Sequence, residues 1–348
     1  MLKKFIRANM VLLVPFLVFG ICVVPFWLWE LNQDIFSDKH NTLNPQGSYY
    51  NPGYLEAMET KEFEKDNGNK QVRIKHDNQR ANFLLLGLDR DDPQSEDYYR
   101  PDTIIVLSLD LMDNKVHLVS IPRDTYMKIE GENKYDKINH AFVYGMQSQG
   151  GIDGGVNTTA KSIEAFLGDV PLHYYVVMDM YTIRNIVDAM GGIKHEVGIT
   201  VRNHAGRGDV VVEKGEQILC GDKFMHYVRA RSIDSDIYRT KRQQHVLESA
   251  YEQIRSQNSF SQLAMIYFEL AGEIDTNLKD SQVLGLINFA QTIDGINSNV
   301  FTGSGGNYRY NNGGIYYLMT DERERQELLK EVFGKDVSPL NYPQPDRY

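Results

Sequence analysis

Cysteine is nearly absent: the 348 residues hold two, Cys22 and Cys220. Cys22 lies in a long apolar run, so the rest of the chain has one thiol and no internal disulfide to close. That excludes a disulfide-stapled scaffold and suits the outer face of a bacterial membrane without disulfide machinery. The nine histidines are dispersed, and no HExxH or CxxC spacing occurs, which argues against a zinc site. A GxxxxGK[ST] phosphate loop, a GxSxG elbow and an SxxK pair are also missing, so no nucleotide enzyme or acyl-enzyme of those types is indicated. There is no internal repeat and no low-complexity tract. The net charge of −10 argues against nucleic acid as a partner, because the bulk surface lacks a basic excess. Tyrosine is plentiful, but it suits sugar and lipid contacts and plain cores equally.

What is present begins with Ala8–Trp29, which carries no charged residue. As a helix it is about 33 Å long, enough to span a bilayer core. Lys3, Lys4 and Arg7 precede it, and Glu30, Asp34 and Asp38 follow it. The positive-inside rule then predicts a cytoplasmic tail over 1–7, a transmembrane helix over 8–29, and everything later on the outer side. A cleaved signal peptide fits less well, since the run is long and no small-x-small site follows. Ile21 is too bulky for Cys22 to be a lipoprotein cysteine. Residues 30–80 read as a polar stalk, with Asn44-Pro45-Gln46-Gly47 and a charged run from Glu59 to Lys70.

The core begins at Ala81. The apolar runs Ala81–Leu88, Thr103–Leu109 and Lys115–Ile121 predict buried strands, and Asp113-Asn114 predicts a hairpin between the last two. Ile138–Gln147, Asn157–Leu167 and Tyr181–Met190 read as helices, with glycines (Gly150, Gly151, Gly154, Gly155) after the first. Tyr174–Met178 and Ile193–Val197 read as strands, and Tyr227–Arg231 as another. Helices are predicted over Arg239–Arg255, Phe260–Ala271, Ser281–Ile293 and Asp321–Phe333. Strands alternating with helices give an α/β layered domain with helices on both faces, and the hairpin makes its sheet mixed.

Arginines and aspartates recur at the ends of these elements. Arg100 and Asp102 precede a strand and point to one side in extended geometry. Asp89 ends the neighbouring strand, and two carboxylates at adjacent strand ends suit Mg²⁺ or act simply as loop caps. Arg123 and Asp124 follow the third strand, as a phosphate fork or as an ordinary salt bridge. Arg229 and Arg231 would share a strand face. Arg239, Arg242 and Gln243 share a helix face, with Arg239 near a helix N-terminus that favours an anion. The bland reading is a solvated basic face, yet same-face arginines on a core strand are costly to bury without an anion.

Read in order, NFLLLGLDR, RPDT, VSIPRDTY, DKINHAF, YYVVMD, IVDAMGGI, GDKFMHYVRAR and DIYRTKRQQ closely resemble the LytR–CpsA–Psr family, from about Asn82 to Gln244. A looser likeness runs through Gly303–Gly306 and the last helix. The resemblance implies an α/β/α sandwich with a mixed central sheet and an apolar tunnel for a prenyl chain, here a catalytic domain over 81–338 with a short tail over 339–348. It implies a phosphotransferase on the outer face of the cytoplasmic membrane, in a Gram-positive bacterium. Such an enzyme moves a glycopolymer (wall teichoic acid, capsule or similar) from an undecaprenyl-pyrophosphate carrier to the muramic acid 6-hydroxyl of peptidoglycan. The family's metal-binding aspartates match Asp89 and Asp102, as ligands of Mg²⁺ or Mn²⁺. Its phosphate-binding arginines match Arg100, Arg123, Arg229, Arg231 and Arg239, with Gln243 one turn further on.

The chain departs from the pattern at Met127, where some members carry a further arginine, and Lys128 and Arg242 are the residues at hand to compensate. Pro101 stands where serine is common. Arg242, Gln243, Asp124 and Asp236 are further substrate-side candidates, and Asp124, Asp234 and Asp236 are unranked candidates for a base. A pyrophosphatase acting on polyprenyl-pyrophosphate glycans, or a non-catalytic lipid-glycan binding or regulatory module, are the alternative readings. Direct DNA binding is disfavoured, since the cytoplasmic part is too short for a helix-turn-helix.

Overall fold

A computed structural model describes residues 80–90, 99–110, 115–203, 208–230, 236–293, 295–310 and 313–346. The predicted span over 8–29 and the stalk over 30–79 lie outside them. Among the described residues no helix is long and apolar enough to cross a membrane.

In chain order the elements are β1 (Arg80–Leu88), β2 (Pro101–Asp110), β3 (Lys115–Ser120), β4 (Tyr126–Ile129), β5 (Lys134–Lys137), α1 (Ile138–Gln149), α2 (Gly151–Phe166), β6 (Tyr174–Asp179), α3 (Met180–Ala189), β7 (Ile193–Val197), β8 (Val201–Arg202), β9 (Val210–Val212), β10 (Gly215–Leu219), α4 (Gly221–Arg229), α5 (Asp236–Gln257), α6 (Phe260–Leu270), β11 (Asp275–Thr276), α7 (Asp280–Ala290), β12 (Ile296–Val300), β13 (Gly303–Tyr310), β14 (Gly313–Thr320) and α8 (Glu322–Phe333). Leu278–Thr292, with α7, belong to a separate compact unit. There the Lys279 N–H donates to the Gln282 side chain at 2.9 Å and closes the start of the helix.

The central sheet has the order β11-β6-β1-β2-β3-β12. β1 pairs antiparallel with β2 and parallel with β6, while β3 pairs antiparallel with β2 and parallel with β12. The sheet is therefore mixed, and β1, β3, β6 and β12 all end at the same edge. The unbroken apolar runs of β1 and β2 follow from burial on both faces. On one face Leu84, Leu86, Ile104, Val106 and Val119 pack against Phe142, Ile163, Phe166, Leu329 and Val332 from α1, α2 and α8. Each fully buried leucine here contributes roughly 2 kcal/mol. The other face buries Phe83 and Ile105, and the Phe83 ring stacks on Tyr174 at 5.0 Å. A second apolar cluster joins Val187 of α3, Ile193 and Val197 of β7, Leu219 of β10, Phe224 and Tyr227 of α4 and Val246 of α5.

Two segments differ from the sequence expectation. α2 starts at Gly151, not Asn157, because Gly154 and Gly155 are helical contact residues instead of loop. A Cβ on Gly145 of α1 would overlap the Gly154 carbonyl, so the two helices touch backbone to backbone. The break between them is made by Gly150 and Gly151, at φ of 87° and 62°. The segment Tyr227–Arg229 is helical, not extended. Its alternation with Arg231 resembles a strand, but Phe224, Met225, Tyr227 and Val228 are buried at helical spacing. Arg229 is the last residue of α4.

Beyond α8, which Gly334 closes in the left-handed conformation, an irregular strap runs back over the domain. Arg325, 1% exposed, donates to the carbonyls of Phe166 at 2.6 Å and Ser338 at 3.1 Å. Gln326 donates to the Val337 carbonyl, and Tyr126 to that of Pro343.

Gly145→Ala is expected to lower stability by about 3 kcal/mol, because α1 and α2 must move apart. Gly272→Ala, where nothing approaches within 4 Å, serves as the neutral control. Chemical denaturation of the two variants checks this. A second expectation concerns Glu164, which accepts from the Leu172 N–H at 2.8 Å. Burial pushes its carboxyl up to about 7. The folded state then holds a proton that the unfolded chain has already lost, so stability falls as pH rises from 4.5 to 7. Glu164→Gln should remove that slope and gain about 3 kcal/mol at pH 8, read from melting curves at several pH values.

Candidate functional site

The common edge where β1 and β3 end and β2 begins carries the charged residues. The Asp89 N–H donates to the Arg100 carbonyl at 3.0 Å, which closes the β1–β2 ladder and brings Asp89 beside Arg100 and Asp102. Arg123 and Asp124 lie in the turn after β3, held by the Thr125 hydroxyl on the Pro122 carbonyl at 2.6 Å. The Arg123 carbonyl accepts from the Asn139 N–H, which fixes the turn to the start of α1. Asp89, Arg100, Asp102, Arg123 and Asp124 thereby line one cavity of about 290 Å³, together with Tyr99, Lys137, Asn139 and His140.

Asp102 is the electrostatic centre. Its Oδ1 accepts from Arg123 at 2.5 Å, and its Oδ2 lies 4.0 Å from the Arg239 guanidinium. Arg239 is 3% exposed, in the first turn of α5, and faces the sheet edge instead of bulk water. Asp89 accepts from Arg229 at 2.7 Å, a pair about one-third exposed. Lys137 donates to Asp124 at 2.5 Å. Arg100 reaches His140 Nε2 at 3.4 Å, and His140 Nδ1 faces the buried Asp136 at 2.9 Å.

The structure thus brings together Asp89, Arg100, Asp102, Arg123, Asp124, Arg229 and Arg239. Arg231 and Asp234, and the side chain of Asp236, lie outside the described residues. Arg242 and Gln243 are turned elsewhere. Arg242 donates to the Ala230 carbonyl at 2.6 Å and Gln243 to that of Val228 at 3.4 Å, so they fasten α5 to the end of α4. Met127 is fully buried in the core, and Lys128 pairs with Glu130 at 2.8 Å. Position 127 therefore points away from the cavity, and Lys128 is engaged by Glu130.

Tyr99, Lys137, Asn139 and His140 had no role from the sequence. The signal for the last three lay in the DKINHAF block, whose residues straddle a strand end and a helix start and so show no single periodicity.

Among the described residues no three His, Cys, Asp or Glu side chains converge as a cage for a metal ion. Asp89 and Asp102 face the cavity as a pair. Two carboxylates are a fitting donor set for an ion that keeps water and phosphate oxygens, as Mg²⁺ does.

An α/β scaffold with guanidiniums gathered at one sheet edge is built to handle a polyanion. The chain belongs to the LytR–CpsA–Psr family: the model described as the LytR_cpsA_psr family matches residues 48–333. It is similar to the polyisoprenyl-teichoic acid–peptidoglycan teichoic acid transferase TagT of Bacillus subtilis, at 30% identity over 72% of this chain and 74% of that one. It is also 30% identical to TagU of Bacillus mycoides, over 72% and 77% of the two chains. The solved structure of TagT bound to LIIa-WTA superposes with a TM-score of 0.58 at 27% identity, covering 77% of this chain and 96% of that one. The chain is accordingly an enzyme of the transferase class.

Among the described residues, Arg100, Arg123, Lys137, Arg229 and Arg239 outnumber Asp89, Asp102 and Asp124 at the site, in a chain of net charge −10. Inorganic pyrophosphate should therefore raise the melting temperature of the protein. Chloride at equal ionic strength should not, and Arg123→Ala should shrink the rise, as a thermal-shift titration would show.

Proposed function

We propose that this enzyme transfers a glycopolymer from an undecaprenyl-pyrophosphate carrier to a peptidoglycan hydroxyl, the muramic acid 6-OH, on the outer face of the cell membrane. The carrying observation is the convergence of Arg100, Arg123, Arg229 and Arg239 with Asp89 and Asp102 on one edge of the sheet. The named activity of the relatives and the wall teichoic acid ligand in TagT support the substrate class. The apolar Ala8–Trp29 segment supports a single-pass anchor with a cytoplasmic N-terminus, and the stalk over 30–80 then carries an α/β/α catalytic domain over 81–338, with a tail over 339–348.

In this reading Arg123 and Arg239 neutralise the pyrophosphate oxygens that gain charge as the bridging P–O bond breaks. Arg100 orients the same group from the cavity wall, and Arg229 from beside Asp89. Positioning and electrostatics of this kind carry most of phosphoryl transfer. Asp89 and Asp102 would hold Mg²⁺ or Mn²⁺, which supplies further positive charge to the phosphate oxygens. Ion pairs between these arginines and carboxylates offset part of the site's positive charge before substrate binds, and substrate oxygens then replace the carboxylates in part.

The test uses detergent-solubilised full-length protein with a prenyl-pyrophosphate glycan and peptidoglycan chains. Prenyl phosphate released only with acceptor present, with glycan appearing on the acceptor, is the expected result. Release without acceptor would instead identify a pyrophosphatase, and binding without release a lipid-glycan module. Arg123→Ala and Arg229→Ala should each cut turnover by roughly 10²- to 10³-fold while the protein stays folded at the assay temperature, with some loss of melting temperature for Arg123→Ala. Full activity in either variant would sink the assignment.

A further inference from the structure

We infer that His140, oriented by Asp136, is the general base that takes the proton from the acceptor hydroxyl. The inference rests on the transfer reading above and deepens it.

Arginine has donors only, so the Nε2 that faces Arg100 at 3.4 Å is the accepting nitrogen of the ring. The ring proton then sits on Nδ1 and points at Asp136 Oδ2, 2.9 Å away. That tautomer turns the Nε2 lone pair towards Arg100 at the cavity wall, across a long 3.4 Å contact that an acceptor hydroxyl would displace. His140 is in the first turn of α1, and its side chain is 18% exposed. Asp136 is 1% exposed. It also accepts from Tyr144 at 2.5 Å, from Tyr317 at 3.1 Å and from the Lys137 N–H at 2.8 Å. Burial alone would raise its carboxyl, but the hydrogen bonds from His140, Tyr144 and the Lys137 N–H outweigh burial and hold it below the usual carboxylate range. An ionised, immobile carboxylate behind an imidazole both fixes the ring and stabilises the imidazolium that forms. Asp124 is less suited, because the Lys137 ammonium holds its Oδ1 at 2.5 Å, far more tightly than Arg100 holds His140 Nε2 at 3.4 Å.

The step balances simply. The acceptor oxygen forms a bond to the glycan-bearing phosphorus as its proton passes to His140 Nε2. The bridging P–O bond breaks, and its electron pair leaves on the prenyl phosphate. The imidazolium later gives its proton to water.

Wild type, His140→Ala and His140→Gln are compared for melting temperature, binding of the prenyl-pyrophosphate glycan, and transfer to peptidoglycan with and without added imidazole. Expected are a somewhat lower melting temperature with the protein still folded at the assay temperature, donor binding within about twofold, transfer lowered about 10²-fold, and partial recovery of His140→Ala in imidazole. Transfer at the wild-type rate in both variants overturns the inference. So does a loss that follows donor binding or melting and that imidazole does not restore, since His140 would then only position Arg100. If wild type itself transfers nothing, the functional reading fails and not this step.

Discussion

The site depends on one arrangement: Asp102 set between the guanidiniums of Arg123 and Arg239. These come from the start of β2, the turn after β3 and the first turn of α5, so a single carboxylate ties three distant stretches of chain. Arg239 is almost fully buried, and a guanidinium cannot be buried without a counter-charge nearby. Asp102 supplies that charge in the resting protein and keeps α5 against the sheet edge. A pyrophosphate oxygen is the same kind of partner for the same donors. The pair therefore serves folding and recognition at once.

The sheet accounts for the meeting of these residues. Four strands of the mixed sheet finish at one edge, and a polar cavity there follows the general tendency of α/β sheets to bind ligands beyond their strand ends. Behind the cavity, the Tyr317 hydroxyl reaches Asp136 from β14, while the Leu318 N–H donates to the Asp124 carbonyl. The late hairpin thus buttresses two acidic residues of the site from outside the main sheet.

Much of this was legible in the sequence. The runs at Ala81–Leu88 and Thr103–Leu109 are unbroken because both faces of those strands are covered, whereas a strand with one wet face would alternate. Arg100 and Asp102, two apart on a strand start, do reach one cavity. Misreadings arose where short segments satisfy two periods at once. Tyr227-Val228-Arg229 alternates like a strand, and only the tertiary packing of Phe224 and Met225 makes it helix. Gly154 and Gly155 signal a loop to any local rule, whereas their purpose is the close approach of α1 and α2. Met127 occupies a motif position yet points inward, since the turn at Pro122 resets which face the next strand presents. Arg242 sits on the correct helix face for the cavity, but the Ala230 carbonyl at the end of α4 claims it.

The strap after Gly334 is held through its main chain and through Val337, Leu340 and Tyr342, which pack on the core, the Tyr342 ring lying 5.3 Å from that of Tyr135. Arg325 and Gln326 donate to its carbonyls, Tyr126 bonds that of Pro343, the Leu340 N–H meets Glu322, and the Asp346 carbonyl meets the Arg309 N–H. These main-chain bonds ignore side-chain identity, whereas the three packed positions do not. The strap thus keeps its path through changes at its exposed positions only while Val337, Leu340 and Tyr342 stay apolar or aromatic.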